Sequence, residues 1–162
     1  LILKARAVGL PEALAPLVLV AMNVVYAGAS YPVGALSDRG DRKAPLMAGL
    51  IALIAADAAL ASAEHLPLVW VGVALWGLHM GLTQGLLAAL VADVAPAALR
   101  GSAFGVFNLA SGVALLGASA GAGALWDAFG PSAAFLASAV CASLALVALW
   151  ADSRRTGVLT DG

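Results

Sequence analysis

Two side chains that can exchange protons lie inside long apolar stretches of the sequence. Asp57 is the one acid within the stretch 44–63, and His79 lies within the stretch 66–92. Histidine titrates near neutral pH, and ionisable groups in apolar segments often serve ion or proton movement. Both are therefore candidates for ion coupling. The alternatives are a packed neutral histidine, and an aspartate that snorkels or contacts a neighbouring helix.

Other polar side chains recur at helical spacing and could contact a solute or bond between helices. They come in pairs three or four residues apart, which places each pair on one helix face. The full set of candidates, with His79, is Asn23, Tyr26, His79, Thr83, Gln84, Asn108 and Ser111.

The sequence contains no arrangement typical of an enzyme or a metal site. Beside His79 there is only His65, next to Glu64, and the single cysteine is Cys141. No nucleophile with a positioned base is visible, and Asp93 and Arg100, which flank a loop, are predicted to be interface charges and not catalysts. We therefore predict that the protein is not an enzyme and holds no cofactor or metal.

The composition is that of a membrane protein. Of 162 residues, 63% are hydrophobic and 10% are charged, with a mean hydropathy of +1.01, whereas soluble domains have about 25% charged residues. The net charge of -1 offers no basic surface for nucleic acid. A buried soluble core would need helices with polar faces, and none is visible. The sequence predicts an all-α polytopic transmembrane bundle whose partner is the lipid bilayer.

Five stretches can each cross the bilayer, which takes about 20 apolar residues in a helix. The predicted spans are 14–36, 44–63, 66–92, 102–126 and 131–151, in one partial transmembrane domain over 1–162.

Basic residues predict the orientation of these spans, because cytoplasmic loops are rich in Lys and Arg. The side with loops 37–43 and 93–101 and the C-terminus holds most of them, whereas the other side holds only Lys4 and Arg6. That side is predicted to be cytoplasmic, in a multi-pass protein of the plasma (inner) membrane. Its basic residues are Arg39, Arg42, Lys43, Arg100, Arg154 and Arg155.

The segment GASYPVGALSD at 28–38 has a second copy, GASAGAGALWD at 117–127. The shared serine and the shared final aspartate are matches that an Ala- and Gly-rich composition does not explain. Three spans separate the copies, so they lie on opposite sides of the membrane, as in the inverted repeats of many secondary transporters. The same offset leaves the third span unpaired. We therefore predict an incomplete 3+3 inverted repeat and at least one more apolar span upstream of Leu1.

The charged loop after the first span resembles the cytoplasmic loop motif of the major facilitator superfamily. In GALSDRGDRK, the matching residues are Gly34, Asp38, Arg39, Arg42 and Lys43. Asp41 stands where the family has its second glycine, and the outer copy has Gly130 at the aligned site.

A second stretch resembles the connection between the family's tenth and eleventh spans. It comprises GLTQG at 81–85 and ALVADVAPAALRGSAFGVFN at 89–108, and the likeness rests on Pro96, Arg100, Gly101 and Gly105. Members have twelve spans in two halves, so this chain is similar to part of the C-terminal half, from just before span eight to the end of span twelve.

This resemblance implies a function and a partner. Spans eight, ten and eleven of the family help to line a central pathway, which makes the polar set above candidate pathway residues, whereas Asp57 falls on the peripheral ninth span. The motif acid, Asp38 here, would contact a helix N-terminus in the missing N-terminal half and stabilise one closed state. A solvated helix end is the alternative.

The implied activity is secondary transport of an unidentified small molecule by alternating access, with proton-coupled efflux as a specific form. The alternatives are a non-transporting packing or assembly subunit and an inactive truncated product.

Glycines four residues apart predict close contacts between helices, because small residues let backbones approach in lipid. The pairs and triplets are Gly77, Gly81 and Gly85, then Gly101 and Gly105, then Gly117 and Gly121. No strand precedes them, so a cofactor-binding loop is not predicted.

Overall fold

The computed structural model describes residues 1–37 and 43–158, and within these ranges the regular structure is entirely helical. Two single-turn 3₁₀ segments, Glu12–Leu14 and Ala97–Leu99, lead into the helices α2 and α5. The α-helices are α1 (Ile2–Ala7), α2 (Ala15–Ser37), α3 (Lys43–Ala61), α4 (Leu66–Val94), α5 (Arg100–Phe129) and α6 (Pro131–Val158).

The helices α2 to α6 are the five elements long and apolar enough to cross a membrane. The helices α2 to α5 begin and end within three residues of the predicted spans, and α6 begins at the predicted residue but continues to Val158, seven residues further. The prediction of an all-α transmembrane bundle is confirmed. The short α1 covers the apolar and basic opening of the sequence and contacts α2 and α4.

Proline and glycine set the helix boundaries. Ala95 is extended because it precedes Pro96, which ends α4. Gly130 has φ +84°, a left-handed conformation that favours glycine, and it separates α5 from α6. Pro131 then opens α6 at a position where its missing N–H is not needed. The turn at Gly130 therefore uses the freedom that Asp41, its aligned residue in the other copy, lacks; Asp41 itself lies outside the described residues.

The helix α4 lies between α2 and α3, and α6 packs on the other side of α3. Because successive helices alternate in direction, α2 and α4 are parallel, with Gly77 opposite Met22 and Gly81 opposite Tyr26 and Ala29. We call the end of the bundle that holds Ser37, Lys43, Val94, Arg100 and the end of α6 the motif end. The end with Ala61, Leu66, Phe129 and Pro131 is the far end.

Glycines bring α4 close to both neighbours. A methyl group on Gly81 would lie 2.7 Å from Ala29 Cβ and 3.0 Å from Tyr26 O, and one on Gly77 would collide with Met22 O. On the other face of α4, a methyl group on Gly72 would lie 2.6 Å from Leu60 Cγ. Close packing is thus confirmed for two members of the predicted glycine series.

The remaining glycines of that prediction do not make such contacts within the described chain. No described atom outside the local helix lies within 4 Å of a methyl group placed on any of them. They are Gly85, Gly101, Gly105, Gly117 and Gly121. Their helical spacing permits a close approach, but no neighbouring helix of this chain occupies the space.

The apolar core is concentrated at the far end. Leu60, Val69, Val73 and Phe135 are buried there together, with Val18 of α2. In contrast, every residue of α5 is described and none is buried. Apolar side chains such as Leu116 and Val106 are about seven-tenths exposed, at 73% and 69%, so α5 offers a long uncovered apolar surface.

Candidate functional site

A crevice between α2 and α4, towards the motif end, is the cavity that this chain forms around predicted site residues. Its volume is about 250 Å³. The two helices are in close contact at Gly77 and Gly81, which bounds the crevice towards the far end, and the crevice is open at the exposed residues Gly34 and Gly85. The described lining residues are Tyr26, Ser30, Val33, Gly34, Gly81, Gly85, Leu86 and Ala89.

Hydroxyl groups supply the polar chemistry of the crevice, because none of its described lining residues is charged. Ser30 Oγ donates to Tyr26 O at 2.7 Å, one turn back on α2. Tyr26, which is half-buried, lines the same space. Gly85 leaves open space opposite them because nothing lies within 4 Å of its missing side chain. The crevice can therefore receive a small group beside Tyr26 and Ser30.

His79 and Thr83 lie on a different face of α4, in its contact with α3. His79 Nδ1 is 2.8 Å from Gly49 O. Because a carbonyl can only accept, Nδ1 carries a proton in this contact. Thr83 Oγ1 donates to His79 O at 2.8 Å, and its methyl group packs against Gly49. These side chains link two helices, a role that also suits a packed histidine.

Four other candidates are exposed on the surface of the described chain. Asn23 Nδ2 donates to Leu19 O of its own helix at 2.7 Å. Gln84 of α4, and Asn108 and Ser111 of α5, are exposed without a contact to the crevice. The structure therefore brings Tyr26 into a cavity, places His79 and Thr83 in an interface, and leaves these four on the surface.

Only part of the charged loop motif falls within the described residues. Gly34 lines the crevice, and Lys43 opens α3, where its Nζ lies 2.8 Å from Asp152 Oδ2 of α6. Asp38, Arg39 and Arg42 lie outside the described residues. The motif thus joins the crevice helix α2 to a contact between α3 and α6 at the motif end.

The second motif forms the turn between α4 and α5. Leu99 N donates to Pro96 O at 2.8 Å, which closes the 3₁₀ segment, and Arg100 is the first residue of α5. Arg100, Gly101 and Gly105 are exposed. The motif therefore sets the point at which α5 departs from α4 at the motif end.

Asp57 is fully buried between α3 and its neighbours, at 0% exposure. Both carboxyl oxygens lack a hydrogen-bond partner among the described residues. The Ser138 hydroxyl of α6 faces the carboxyl, but the contact does not have the distance and angle of a hydrogen bond. A snorkelling side chain would reach water, so this burial excludes the snorkelling interpretation and leaves helix contact and ion coupling open.

The sequence interpretation missed the residues that complete these sites. Ser30 stands one turn after Tyr26, a spacing that could have marked it as part of the same face. Ser132, Ser138 and Asp152 became relevant only because α6 packs beside α3, and nothing in their local sequence indicates that neighbour.

Comparison with known proteins agrees with the resemblance that the loop motifs indicate. The family model of the Major Facilitator Superfamily matches residues 1–160. An uncharacterized MFS-type transporter of Methanocaldococcus jannaschii is 35% identical over 123 residues, which is 74% of this chain and 30% of that protein. The chain thus spans about a third of the length of this relative. No solved structure matches.

Proposed function

Because the chain belongs to the major facilitator superfamily, we propose that it forms part of a secondary active transporter that moves a small molecule by alternating access. The family membership makes it a multi-pass membrane protein of a transporter family. Proton-coupled efflux across the plasma (inner) membrane, with the motif end in the cytoplasm, is the specific form that we propose. The remaining spans of the transporter, including its N-terminal half, would be the partner of this domain.

The observation that supports this proposal most directly is the crevice between α2 and α4. It lies between two parallel helices, is lined by Tyr26 and Ser30, and has open space at Gly85. Transporter sites typically form between helices within the membrane, where polar groups face a cavity. The loop motif begins at Gly34, which lines the crevice, so the motif and the cavity share a residue of α2.

A substitution that fills the crevice tests the proposal. In the full-length protein reconstituted in vesicles, Gly85→Leu should abolish transport driven by a pH gradient, because the new side chain occupies the cavity without meeting a packed neighbour. Ethidium, as a probe of drug efflux, and a panel of radiolabelled metabolites would serve as solutes. Val71→Leu, at an exposed apolar position of the same helix, is the control. Transport unchanged by Gly85→Leu would contradict a role for this crevice.

The hydroxyl of Tyr26 permits a finer test on the same helix. Tyr26→Phe should lower the apparent affinity for the solute, because it removes the phenol from the crevice and keeps the ring. Tyr31→Phe is the matched control, since Tyr31 is 85% exposed. Equal effects of the two changes would show that the phenol in the crevice has no special part.

The loop motif is tested through its acid. Asp38→Asn in the full-length protein should impair transport if the carboxylate stabilises one closed state at a helix N-terminus. Unchanged uptake and efflux would favour a solvated helix end.

His79→Ala tests proton coupling. A transport rate that loses its pH dependence in this variant supports a proton role for His79. A rate that keeps its pH dependence supports a packed histidine, which the bond of His79 to Gly49 favours.

The exposed surface of α5 favours a second candidate, a domain that packs against another membrane segment without transporting. Its apolar side chains, including Leu109 and Val113, are largely uncovered. If the chain belongs to an assembly subunit, the wild-type protein should move no solute in the vesicle assay. Its Gly85→Leu variant should keep its stability and its partner. The vesicle assay therefore separates the two candidates.

A further inference from the structure

The contact between α3 and α6, which we call the α3–α6 seam, is closed at both ends by polar bonds. At the motif end, Lys43 Nζ pairs with Asp152 Oδ2 at 2.8 Å. At the far end, Ser132 Oγ donates to Ala61 O at 2.7 Å. Between these bonds the seam buries one acid, Asp57, one helical turn before Ala61.

The residues around Asp57 leave its carboxyl in an apolar environment. On α3, Ala56 and Leu60 are fully buried against Gly72 of α4. On α6, Phe135 and Ala142 are buried at positions that share a helical face with Ser138. The Ser138 hydroxyl is the polar group facing the carboxyl, and both carboxyl oxygens lack hydrogen bonds within the described chain.

Other charged groups do not balance an ionised carboxylate at this place. On α3, Lys43 lies about 21 Å along the helix from Asp57 at 1.5 Å per residue. On α4, His79 bonds to Gly49, about 12 Å along α3 by the same rise. No ion pair within the described residues joins Asp57 to the buried Lys4 of α1.

The remaining titratable groups of these elements face elsewhere. Asp93 of α4 and Asp152 of α6 lie near the motif end, and Cys141 of α6 is exposed. Glu64 and His65, in the turn after α3, are exposed at the far end. The side chains of Arg154 and Arg155 on α6 lie outside the part of the chain that the structure describes.

We propose that the α3–α6 seam holds an intramembrane proton-binding site in which Asp57 carries the proton and Ser138 is its hydrogen-bond partner. An ionised carboxylate with one hydroxyl as its donor is strongly disfavoured in such apolar surroundings, whereas the neutral acid carries no charge to desolvate and can donate to the Ser138 oxygen. Metal cations require several oxygen ligands, and the described residues form no cluster of three or more acidic, histidine or cysteine side chains. A proton is the cation that one carboxyl and one hydroxyl can hold.

This site lies on the opposite side of α4 from the crevice. Proton binding and solute binding would therefore use different helix contacts, connected through α4. The proton site stands without transport; only its use for coupling rests on the proposed function. Its position one turn from the end of α3 makes the far end the shorter route for a proton.

Infrared spectroscopy of the full-length protein in lipid tests the site without a substrate. Between about pH 5 and pH 9, a window above the usual aspartate pKa, the carbonyl band of a protonated carboxylic acid should be present near neutral pH. Asp57→Asn should remove that band, and Asp127→Asn, at an exposed acid, should retain it. A wild-type spectrum that equals the Asp57→Asn spectrum throughout this range would overturn the proposal.

The serine partner has its own matched pair of variants. Ser138→Ala should shift the carbonyl band to higher frequency because the acid loses its hydrogen bond. Ser143→Ala should leave it in place, since Ser143 Oγ donates to Ala139 O of its own helix at 2.7 Å. An unmoved band in Ser138→Ala would show that Ser138 is not the partner.

A chemical probe decides the question in the wild-type protein, so a variant that fails to fold does not prevent the test. Dicyclohexylcarbodiimide is apolar and reacts with protonated carboxyls, so peptide mass spectrometry at neutral pH should find Asp57 labelled at least about tenfold more than exposed Asp127, because burial keeps a carboxyl neutral. Equal or lower labelling of Asp57 would contradict the site. If labelling and the infrared band are as expected but transport ignores pH, the proton site stands and the proposed coupling fails.

Discussion

The two copies of one sequence segment, 28–38 on α2 and 117–127 on α5, have opposite environments. In the α2 copy, Ala29 and Ser30 lie against Gly81 of α4, and Gly34 lines a crevice. In the α5 copy, Ala118 and Ser119, which align with Ala29 and Ser30, are exposed, and the glycines of both copies leave open space beside them. A pattern of small residues therefore permits close packing, but a second helix with matching glycines must be present for packing to occur.

The copies also differ in the turn that follows them. After the α5 copy, Gly130 adopts φ +84° and α6 starts at once with Pro131. The α2 copy has Asp41 at the site aligned with Gly130, in the loop outside the described residues. Since a left-handed backbone favours glycine, the conformation of Gly130 would cost more free energy at Asp41.

The largest expected effect comes from the aligned alanines of the two copies. Ala29→Leu should destabilise the full-length protein by about 1–3 kcal/mol, because the larger side chain meets the Gly81 backbone in a filled contact. Ala118→Leu should change stability by no more than about 0.5 kcal/mol. Thermal unfolding in detergent measures both. Equal losses would mean that parts of the protein outside this chain cover the α5 copy, which would break the contrast.

Substitution of a polar candidate should cost more stability on a packed helix than on an exposed one. His79→Ala should lower stability by about 1–2 kcal/mol, the range for a hydrogen bond between membrane helices in model peptides. Asn108→Ala on α5 should leave the unfolding temperature nearly unchanged and act, if at all, on solute binding. A destabilised Asn108→Ala protein would show that α5 has a polar contact in the assembled transporter.

A smaller effect is expected from the hydrogen bond between Ser132 of α6 and Ala61 of α3 at the far end. Among the described residues, α5 makes no equivalent bond. Ser132→Ala should destabilise by about 0.6 kcal/mol, the average for such bonds in a membrane protein. Ser143→Ala is the control because its bond stays within α6. If the two variants unfold alike, the Ser132 bond does not hold the seam.

The smallest effect concerns the ion pair of Lys43 and Asp152 at the motif end. Both side chains are partly exposed, at 36% and 61%, so their attraction is screened by water. A double-mutant cycle with Lys43→Ala and Asp152→Ala should give a coupling of about 0.2–0.5 kcal/mol, the lower part of the range for exposed pairs, that shrinks with added salt. A larger coupling that ignores salt would indicate that the motif loop shields this pair.

Much of the fold could be predicted from residues alone. Long uncharged stretches must form helices in lipid because every backbone group needs an internal hydrogen bond, and Pro96, Gly130 and Pro131 mark where those helices stop. The candidate site was harder, because helical spacing shows which side chains share a face and does not show which helix lies opposite. Helical spacing marked Tyr26 as a candidate, whereas it could not indicate that Ser138 of α6 faces Asp57 of α3.

The sequence by itself determined the number and approximate positions of the spanning helices, the repeated segment and the family. These depend on local composition and on backbone chemistry that acts within each stretch. Only the tertiary structure decided that His79 bonds to α3, that Tyr26 faces a crevice and that Asp57 is sealed beside α6. In a bilayer, apolar side chains are equally stable against lipid tails and against other helices. The neighbours of each helix are therefore determined by glycine contacts and by a few polar groups whose partners are distant in the chain.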